Sequence, residues 1–407
     1  MIKRIDLFMP PRSQYGVLHH FTEALADALT SAGVSARILQ ADYHNPAPFL
    51  EAIANDPPDC TLSFNGLLPD EKGNFFCELI GIPHVACIVD SQNLFISLIN
   101  SPLTIVACSD RDSADFFNGL KCKNVLFMPH GVEEKLCVEE DNQERIYPVT
   151  VLCSLIDYNQ IRSEWKNKYD KVICLAMDEA IEATFADSTT SYVQALVQAV
   201  DRQMELNYHI DPAKIDFVSV MDDIEMYIKG KSRIDAIKAI KDAKVHIFGS
   251  ASSSAKWEDY IDKDQKNVII HEPIPYEQVI EVLKTTQILL NSSPWIKQGA
   301  HERIFYGLAC GALVVTNKNL FLEETFEDGT SIVMYDTNNP NEINQKINQY
   351  LSENKKREEI VARGREIVKQ YHTWEYRARQ LVEQLDPIVQ NLKESIAQKN
   401  NPENSSS

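Results

Sequence analysis

The chain has 407 residues, with 40 Lys and Arg against 59 Asp and Glu and a formal net charge of −19. So acidic a balance argues against broad nucleic-acid contact, which needs a dense basic face, and no run approaches the ~20 apolar residues that span a bilayer. At 44% hydrophobic and 24% charged residues it has an ordinary globular composition, with length for two or three domains and a core that needs no staples.

Met1 to Pro10 holds two basic residues, but Asp6 and Pro10 interrupt its apolar part. It reads as a first strand over 5–9 rather than a secretory signal. A loop with Ser13 and Gly16 follows. Phe21, Leu25 and Leu29 recur at helical spacing over 20–29, with Gly33 as the stop. Further β-rich runs lie at 34–39, 61–64, 84–89, 104–108 and 124–128. Helical or loop material separates them, which predicts a parallel, doubly wound sheet. The polar stretch Glu139-Glu140-Asp141-Asn142-Gln143-Glu144-Arg145 reads as a linker, and a strand at 149–155 restarts the pattern.

Residues 176–243 read as mostly helical. Ala195, Leu196, Ala199, Val200 and Met204 share one stripe, and Ile234, Ile237 and Ile240 another. Such a segment is either an insertion that shapes a binding site or, more simply, a helical layer on the sheet. Strands at 244–248, 268–270, 288–291, 313–316 and 330–335 alternate with helices at 276–283 and 302–309. Amphipathic helix runs from 341 to about 396, and the polar end is expected to be disordered. The expected organisation is an N-terminal α/β lobe (1–147), a second α/β lobe (148–374), terminal helices (375–396) and a tail (397–407). The nine cysteines sit mostly in apolar runs (Cys60, Cys87, Cys108, Cys153, Cys174, Cys310) with no CxxC pair. That is the pattern of buried free thiols in a reducing cytosol, so a cytoplasmic protein is expected. Two α/β lobes and a linker define a cleft, and ligands of open α/β sheets bind beyond the carboxyl ends of the strands.

The densest segment runs from 268 to 316. A strand ends at Asn291, a loop follows through Ser292, Trp295, Lys297, Gly299 and His301, and a helix starts at Glu302-Arg303. A helix start presents unpaired N–H groups and partial positive charge. Lys297, Arg303 and His301 add charge-assisted donors, and Gly299 permits close backbone approach. The pattern fits an anion site, and equally a loop with scattered surface cations. Gly249-Ser250-Ala251-Ser252-Ser253-Ser254 would offer N–H groups to phosphate but lacks a P-loop lysine. Asp222 and Asp223 project to different helix faces and read as surface. No His/Cys cluster has metal spacing, so no metal is expected.

Three runs carry a family likeness: Gly299…Arg303-Ile-Phe-Tyr-Gly-Leu-Ala-Cys-Gly311-Ala-Leu-Val-Val-Thr316, Glu324-Thr-Phe-Glu-Asp-Gly329-Thr-Ser-Ile-Val-Met-Tyr335, and Tyr371-His372-Thr373-Trp374-Glu-Tyr-Arg377. Together they resemble the C-terminal lobe of group-1 glycosyltransferases, most closely the spore-maturation (CgeB-like) branch, over about 245–385. Phe127-Met-Pro129-His130-Gly131-Val132 and Gly81-Ile-Pro83…Asp90 resemble first-lobe segments of the same enzymes. The resemblance implies the α/β GT-B fold: two Rossmann-like lobes, here with a helical insertion at about 176–243 in the second, and final helices crossing back to the first. It also implies a metal-independent, hexosyltransferase-type enzyme whose donor, a UDP-sugar by default, is held in the second lobe. Lobe closure would exclude water. No further cofactor is implied, and the acceptor (glycan, protein or small molecule) stays open.

Position by position, the resemblance places His271, Pro275 and Tyr276 near the nucleobase, and Asn291, Ser292, Trp295 and Gly299 facing diphosphate and sugar. Lys297 and Arg303, with the helix start at Glu302, would neutralise the leaving diphosphate. His301 would donate to phosphate or a sugar hydroxyl, or else cap the helix. Many group-1 enzymes have two glutamates eight apart; here those positions are Gln298 and Tyr306. Tyr306 through its hydroxyl, or Glu302 from one turn away, would then serve the ribose. Glu324 lies in an acidic patch with Glu323 and Glu327 in the loop after Thr316, binding hydroxyls or simply solvated. The acceptor would enter near Tyr15, Gly16, His19 and His20, one of the two histidines facing the cleft. Asp90, at a strand end, is a base for an acceptor hydroxyl or a turn residue. The departures at Gln298 and Tyr306 motivate an alternative, a nucleotide-sugar-binding scaffold or partner subunit that no longer catalyses. A sugar-phosphate phosphorylase is a third reading.

Overall fold

The computed structural model describes residues 1–12, 15–41, 44–138, 143–206, 211–251 and 254–399. In chain order the elements are β1 (Arg4–Phe8), α1 (Val17–Ser31), β2 (Ser35–Leu39), α2 (Ala47–Asn55), β3 (Cys60–Phe64), α3 (Phe76–Ile80), β4 (His84–Ile88), β5 (Thr104–Cys108), α4 (Arg111–Gly119), β6 (Val125–Phe127) and α5 (Glu134–Val138). Then come β7 (Tyr147–Leu152), α6 (Tyr158–Lys168), α7 (Lys171–Ala186), α8 (Tyr192–Glu205), α9 (Phe217–Ala239), β8 (Val245–Phe248), α10 (Trp257–Tyr260), β9 (Val268–His271), α11 (Tyr276–Lys284) and β10 (Thr286–Leu290). The chain closes with α12 (Glu302–Ala309), β11 (Leu313–Asn317), α13 (Leu320–Thr325), β12 (Val333–Tyr335), α14 (Asn341–Ser352), α15 (Asn354–Tyr371) and α16 (Trp374–Lys399). They make two compact units: Met1–Glu134 with the chain from Gln370 onward, and Lys135–Lys369.

The first unit is a six-stranded parallel sheet in the order β2-β1-β3-β4-β5-β6. Strands β3, β4 and β5 are buried along their whole length, as strands covered on both faces must be. Asp6 on β1 is fully buried, yet Arg37 on the adjacent β2 holds it through two hydrogen bonds of 3.0 and 2.5 Å. His84 is a core residue between Thr61 Oγ1 at 2.8 Å and Ser63 Oγ at 3.0 Å, and burial pushes its imidazole down to about 3. Helix α16 returns to this unit. Its first residue, Trp374, packs against Phe21 and Phe64, and Val132 N donates to His372 O.

The second unit is a parallel sheet in the order β12-β11-β10-β7-β8-β9. Its core joins Val149, Val151, Val245, Ile247, Ile288, Leu290, Leu313 and Val315 from four neighbouring strands to Ile234 and Ile237 of α9 and Ile240 just after it. Helices α6 to α9 all fall between β7 and β8, a helical insertion of the second lobe. Helix α12 lies flush on the sheet because Gly307 has no side chain; a methyl there would stand 2.6 Å from Leu289 and 2.8 Å from Val314.

Several sequence expectations are corrected. The break between units falls at Glu134, not 147. Arg145 belongs to the second unit, donating to Thr286 O at 2.6 Å and Cys310 O at 3.2 Å, and burial lowers its guanidinium to about 10. Residues 139–142 of the expected linker, with Ser13, Ser252 and Ser253, lie outside the described residues. The helical insertion begins at Tyr158 rather than near 176, where Asp157 caps α6 by accepting from Gln160 N. Glu323 and Glu324 sit on α13, not in a loop, because Asn319 caps that helix by accepting from Leu322 N at 2.8 Å. The long C-terminal pattern is three helices, the last reaching Lys399; residues 400–407 lie outside the description. Asp223 is no surface residue: it accepts from Tyr169 Oη at 2.9 Å and pairs with Lys168 at 3.3 Å. All nine cysteines are free, and only Cys122 and Cys174 are not fully buried. Among the described residues no helix is long and apolar enough to cross a membrane.

Candidate functional site

The carboxyl ends of β7 and β10 lie side by side in the middle of the second sheet. There Arg233 from α9 and Arg303 from the first turn of α12 line one small cavity with Leu152, Cys153, Asn291 and Ser292. Burial pushes the Cys153 thiol up, and both guanidinium groups pull it partly back. Arg233 Nη1 reaches Ser154 O at 3.5 Å, and its guanidinium stands 5.4 Å from the centre of the Trp295 ring. Lys229, one turn earlier on α9, stands 5.3 Å from the same ring. Both cations thus lie within cation–π reach of one indole ring. Lys229 also pairs with Glu225, which is buried and accepts from Tyr192 Oη at 2.5 Å.

Asn291 is only 2% exposed. Its Nδ2 donates to Ser293 Oγ and Thr316 Oγ1, each at 3.0 Å. Its Oδ1 is buried with no hydrogen-bond partner among the described residues. A buried acceptor left unpaired costs ~1–3 kcal/mol. Two cationic donors therefore line the cavity with a residue that holds one unpaired buried acceptor, a set suited to an anion that carries a hydroxyl beside it.

The loop from 292 to 301 is held from both sides. Asn319 Nδ2 donates to Ile296 O at 2.8 Å and Gly299 O at 3.0 Å. Lys297, expected to meet a phosphate, is 2% exposed, and its Nζ donates to Thr184 O and Asp187 O at 2.7 Å each. His301 is the N-cap residue of α12, where its carbonyl accepts from Ile304 N. Its side chain makes no cap; Nδ1 lies 2.5 Å from Glu302 Oε2. Burial, helped by Arg303, pushes the imidazole down to about 4, so the ring is neutral at pH 7. Glu302 Oε1 lies 3.9 Å from Arg303 Nε.

The remaining expected donor residues lie elsewhere in this unit. His271 ends β9, stacks on Phe248 with ring centres 4.2 Å apart, and has Nε2 2.9 Å from His246 Nδ1. Pro275 is the N-cap of α11, and Tyr276 meets Tyr306 edge-on at 5.6 Å. Tyr306, expected to serve the ribose, is 1% exposed, its ring in the seam between α11 and α12. Glu324 is exposed on α13.

The first unit carries the rest. Gly16 is the N-cap of α1 in the left-handed region, at φ 72°. His20 Nε2 lies 3.1 Å from Glu133 Oε1, whereas His19 Nδ1 is buried with no hydrogen-bond partner among the described residues. Tyr15 precedes this turn, half-buried. Asp90 follows β4, exposed, and accepts from Asn65 Nδ2 at 2.6 Å. Asn65, at φ 61°, also accepts through Oδ1 from Val89 N and Asp90 N.

The fold thus brings Asn291, Ser292, Trp295 and Arg303 together and adds Arg233 and Lys229, which sequence reasoning missed. The signal was present: Lys229-Gly230-Lys231-Ser232-Arg233 is a basic run in an acidic chain, and positions four apart share a helix face. Among the described residues no group of three or more His, Cys, Asp or Glu side chains is arranged to hold a metal ion.

Comparison with known proteins bears on the fold. A family model described as "Glycosyl transferase-like" matches residues 231–383, a span that starts just before Arg233 and includes Arg303. No curated protein matches the chain. Among solved structures, a sucrose-phosphate synthase from Thermosynechococcus elongatus aligns with TM-score 0.55 and 11% identity, over 95% of this chain and 99% of that one. Anabaena HepE in complex with UDP-glucose aligns with TM-score 0.52 and 11% identity, over 94% and 99%. AviGT4, a glycosyltransferase of avilamycin A biosynthesis, aligns with TM-score 0.51 and 11% identity, over 95% and 98%. At such identities the likeness is one of fold: the chain has the two-lobed GT-B architecture.

Proposed function

We propose that this chain is a glycosyltransferase that moves a sugar, of hexosyl type, from a nucleotide-diphospho-sugar to an acceptor. One observation carries the reading: Arg233 and Arg303 share a cavity at the carboxyl ends of β7 and β10, in a chain whose net charge is −19. Cleaving the bond between sugar and diphosphate leaves negative charge on the diphosphate. Fixed cations aimed at developing charge are usually the largest single contribution to such catalysis. Two guanidinium groups supply directional, charge-assisted donors, so transfer is proposed to run without a metal ion. Asn291 Oδ1 is proposed to accept from a donor hydroxyl. Uridine is the first base to try, since HepE is described in complex with UDP-glucose.

Acceptor recognition is assigned to the first unit, at Tyr15, Gly16, His19 and His20, with Asp90 as candidate base. The likeness to the spore-maturation branch rests on the residue runs quoted above. A cytoplasmic site of action is supported by nine free, mostly buried cysteines. A second reading, donor binding without transfer, is favoured by Gln298 and by the burial of Tyr306.

The deciding experiment incubates the chain with UDP-, GDP-, ADP- and dTDP-sugars, with and without candidate acceptors, and measures nucleoside diphosphate release. Acceptor-dependent release that disappears in Arg303→Ala supports transfer. Binding without release supports the second reading, and a chain that binds no nucleotide sugar refutes both.

A further inference from the structure

We infer that Lys297 is a positioning residue: it docks the 292–301 loop on the carboxyl end of α7, and the α7–α8 hairpin thereby sets the geometry of the Arg233–Arg303 cavity. The last carbonyls of a helix have no partners within it. At the end of α7 four successive ones are taken by side chains from two separate loops. Lys297 Nζ takes Thr184 O and Asp187 O, at 2.7 Å each. From the loop after β12, Thr337 Oγ1 takes Phe185 O at 2.8 Å and Asn338 Nδ2 takes Ala186 O at 3.1 Å. A cation at a helix carboxyl end is also favoured by the helix dipole.

The same loop is gripped on its other side. Phe321 N approaches Lys297 O at 3.4 Å, and Asn319 holds the carbonyls of Ile296 and Gly299. Immediately before these grips stands Trp295, whose ring centre lies 5.4 Å from the guanidinium of Arg233, and the loop runs directly into the helix that bears Arg303. Lys297 does not line the cavity. Moving its anchor shifts what surrounds both arginines without removing either. The helical insertion, which the sequence reads either as shaping a binding site or, more simply, as a layer on the sheet, is thus coupled to the site.

The link to donor binding rests on the function proposed above; the docking itself does not. Amide hydrogen exchange on the full ligand-free chain tests the docking, and calorimetry with UDP tests the link. In Lys297→Met, exchange in 293–301 and at the end of α7 is expected to rise about tenfold, and UDP to bind about tenfold more weakly. Lys297→Arg should recover most of both. The Thr337→Val/Asn338→Ala double variant, whose side chains bond α7 and their own loop, should loosen 293–301 in the same direction by about threefold. Weaker UDP binding in Lys297→Met with exchange unchanged would place the ammonium on the ligand and overturn the inference. Unchanged exchange in all three variants would overturn it as well. A wild-type chain that binds no nucleotide refutes the proposed function, while the exchange data still decide the docking.

Discussion

Adding a methyl group at Gly249 probes the tightest backbone approach beside the cavity. An alanine Cβ there would stand 1.9 Å from Cys153 O, 2.5 Å from Cys153 C and 3.1 Å from Ser154 N. Ordinary contact begins at 3.4 Å, and the obstacle is backbone, so the ends of β7 and β8 must part by about 1.5 Å. Cys153 N→Phe248 O, now 3.2 Å, then leaves hydrogen-bond range, and Leu155 N→Ser250 O at 2.8 Å strains with it. Two backbone hydrogen bonds are worth ~1 kcal/mol each, and residual overpacking adds ~1–3 kcal/mol. The stiffer unfolded chain returns ~0.4–1 kcal/mol. The net loss is about 2–4 kcal/mol, which lowers the Tm of the second unit by roughly 5–15 °C. Ser154 O, which faces Arg233, moves with β7, so nucleotide affinity falls beyond what partial unfolding explains. Differential scanning calorimetry and UDP titration measure the two effects. Gly119→Ala is the control, because its site is open and its φ is not positive; it should melt like the wild type. A Gly249→Ala chain with wild-type melting and wild-type binding would refute the reasoning.

Arg233→Ala and Arg303→Ala should each weaken UDP binding about 10–100-fold, the worth of one or two hydrogen bonds to charge, with the melting curve unchanged; isothermal titration that finds full affinity in both removes the diphosphate assignment. Glu225→Ala strands Lys229 and the Tyr192 hydroxyl, and should cost ~2–3 kcal/mol in urea unfolding. Acid should destabilise the fold before the carboxylates titrate. Burial pushes His84 and His372 down to about 3 and His301 down to about 4, from 6.5. Between about pH 6.5 and 4 the unfolded chain binds protons at these rings and the folded chain does not. Stability is therefore full above pH 6.5 and falls as pH drops, by at most ~1.4 kcal/mol per histidine per pH unit. Urea midpoints that stay flat from pH 7 to 5 would contradict this.

Much of the architecture was legible in the residues. The continuous apolar run Thr104–Cys108, buried on both faces, and the helical spacing of Glu302–Ala309 are signals that local chemistry enforces, and both elements form where expected. Asn291, Ser292, Trp295 and Arg303 were legible for a related reason: they lie on one strand–loop–helix stretch, where sequence neighbours stay spatial neighbours. Lys297 shows the limit of that logic. It sits in the right loop, but the direction of its side chain depends on the end of α7, more than a hundred residues earlier in the chain. Tyr306 is similar, since its burial depends on α11 packing across it.

Pattern and composition alone pointed to parallel, doubly wound sheets and marked the helix start at Glu302-Arg303 as a candidate anion site, because strand and helix signals and helix-start charge are local properties. Only the folded chain decided which cations meet there. Arg233 and Lys229 come from a helix that precedes β8, and Arg303 from one that follows β10. Charges so far apart in the chain act together only after the sheet has set β7 beside β10, and no local rule of spacing records that distance.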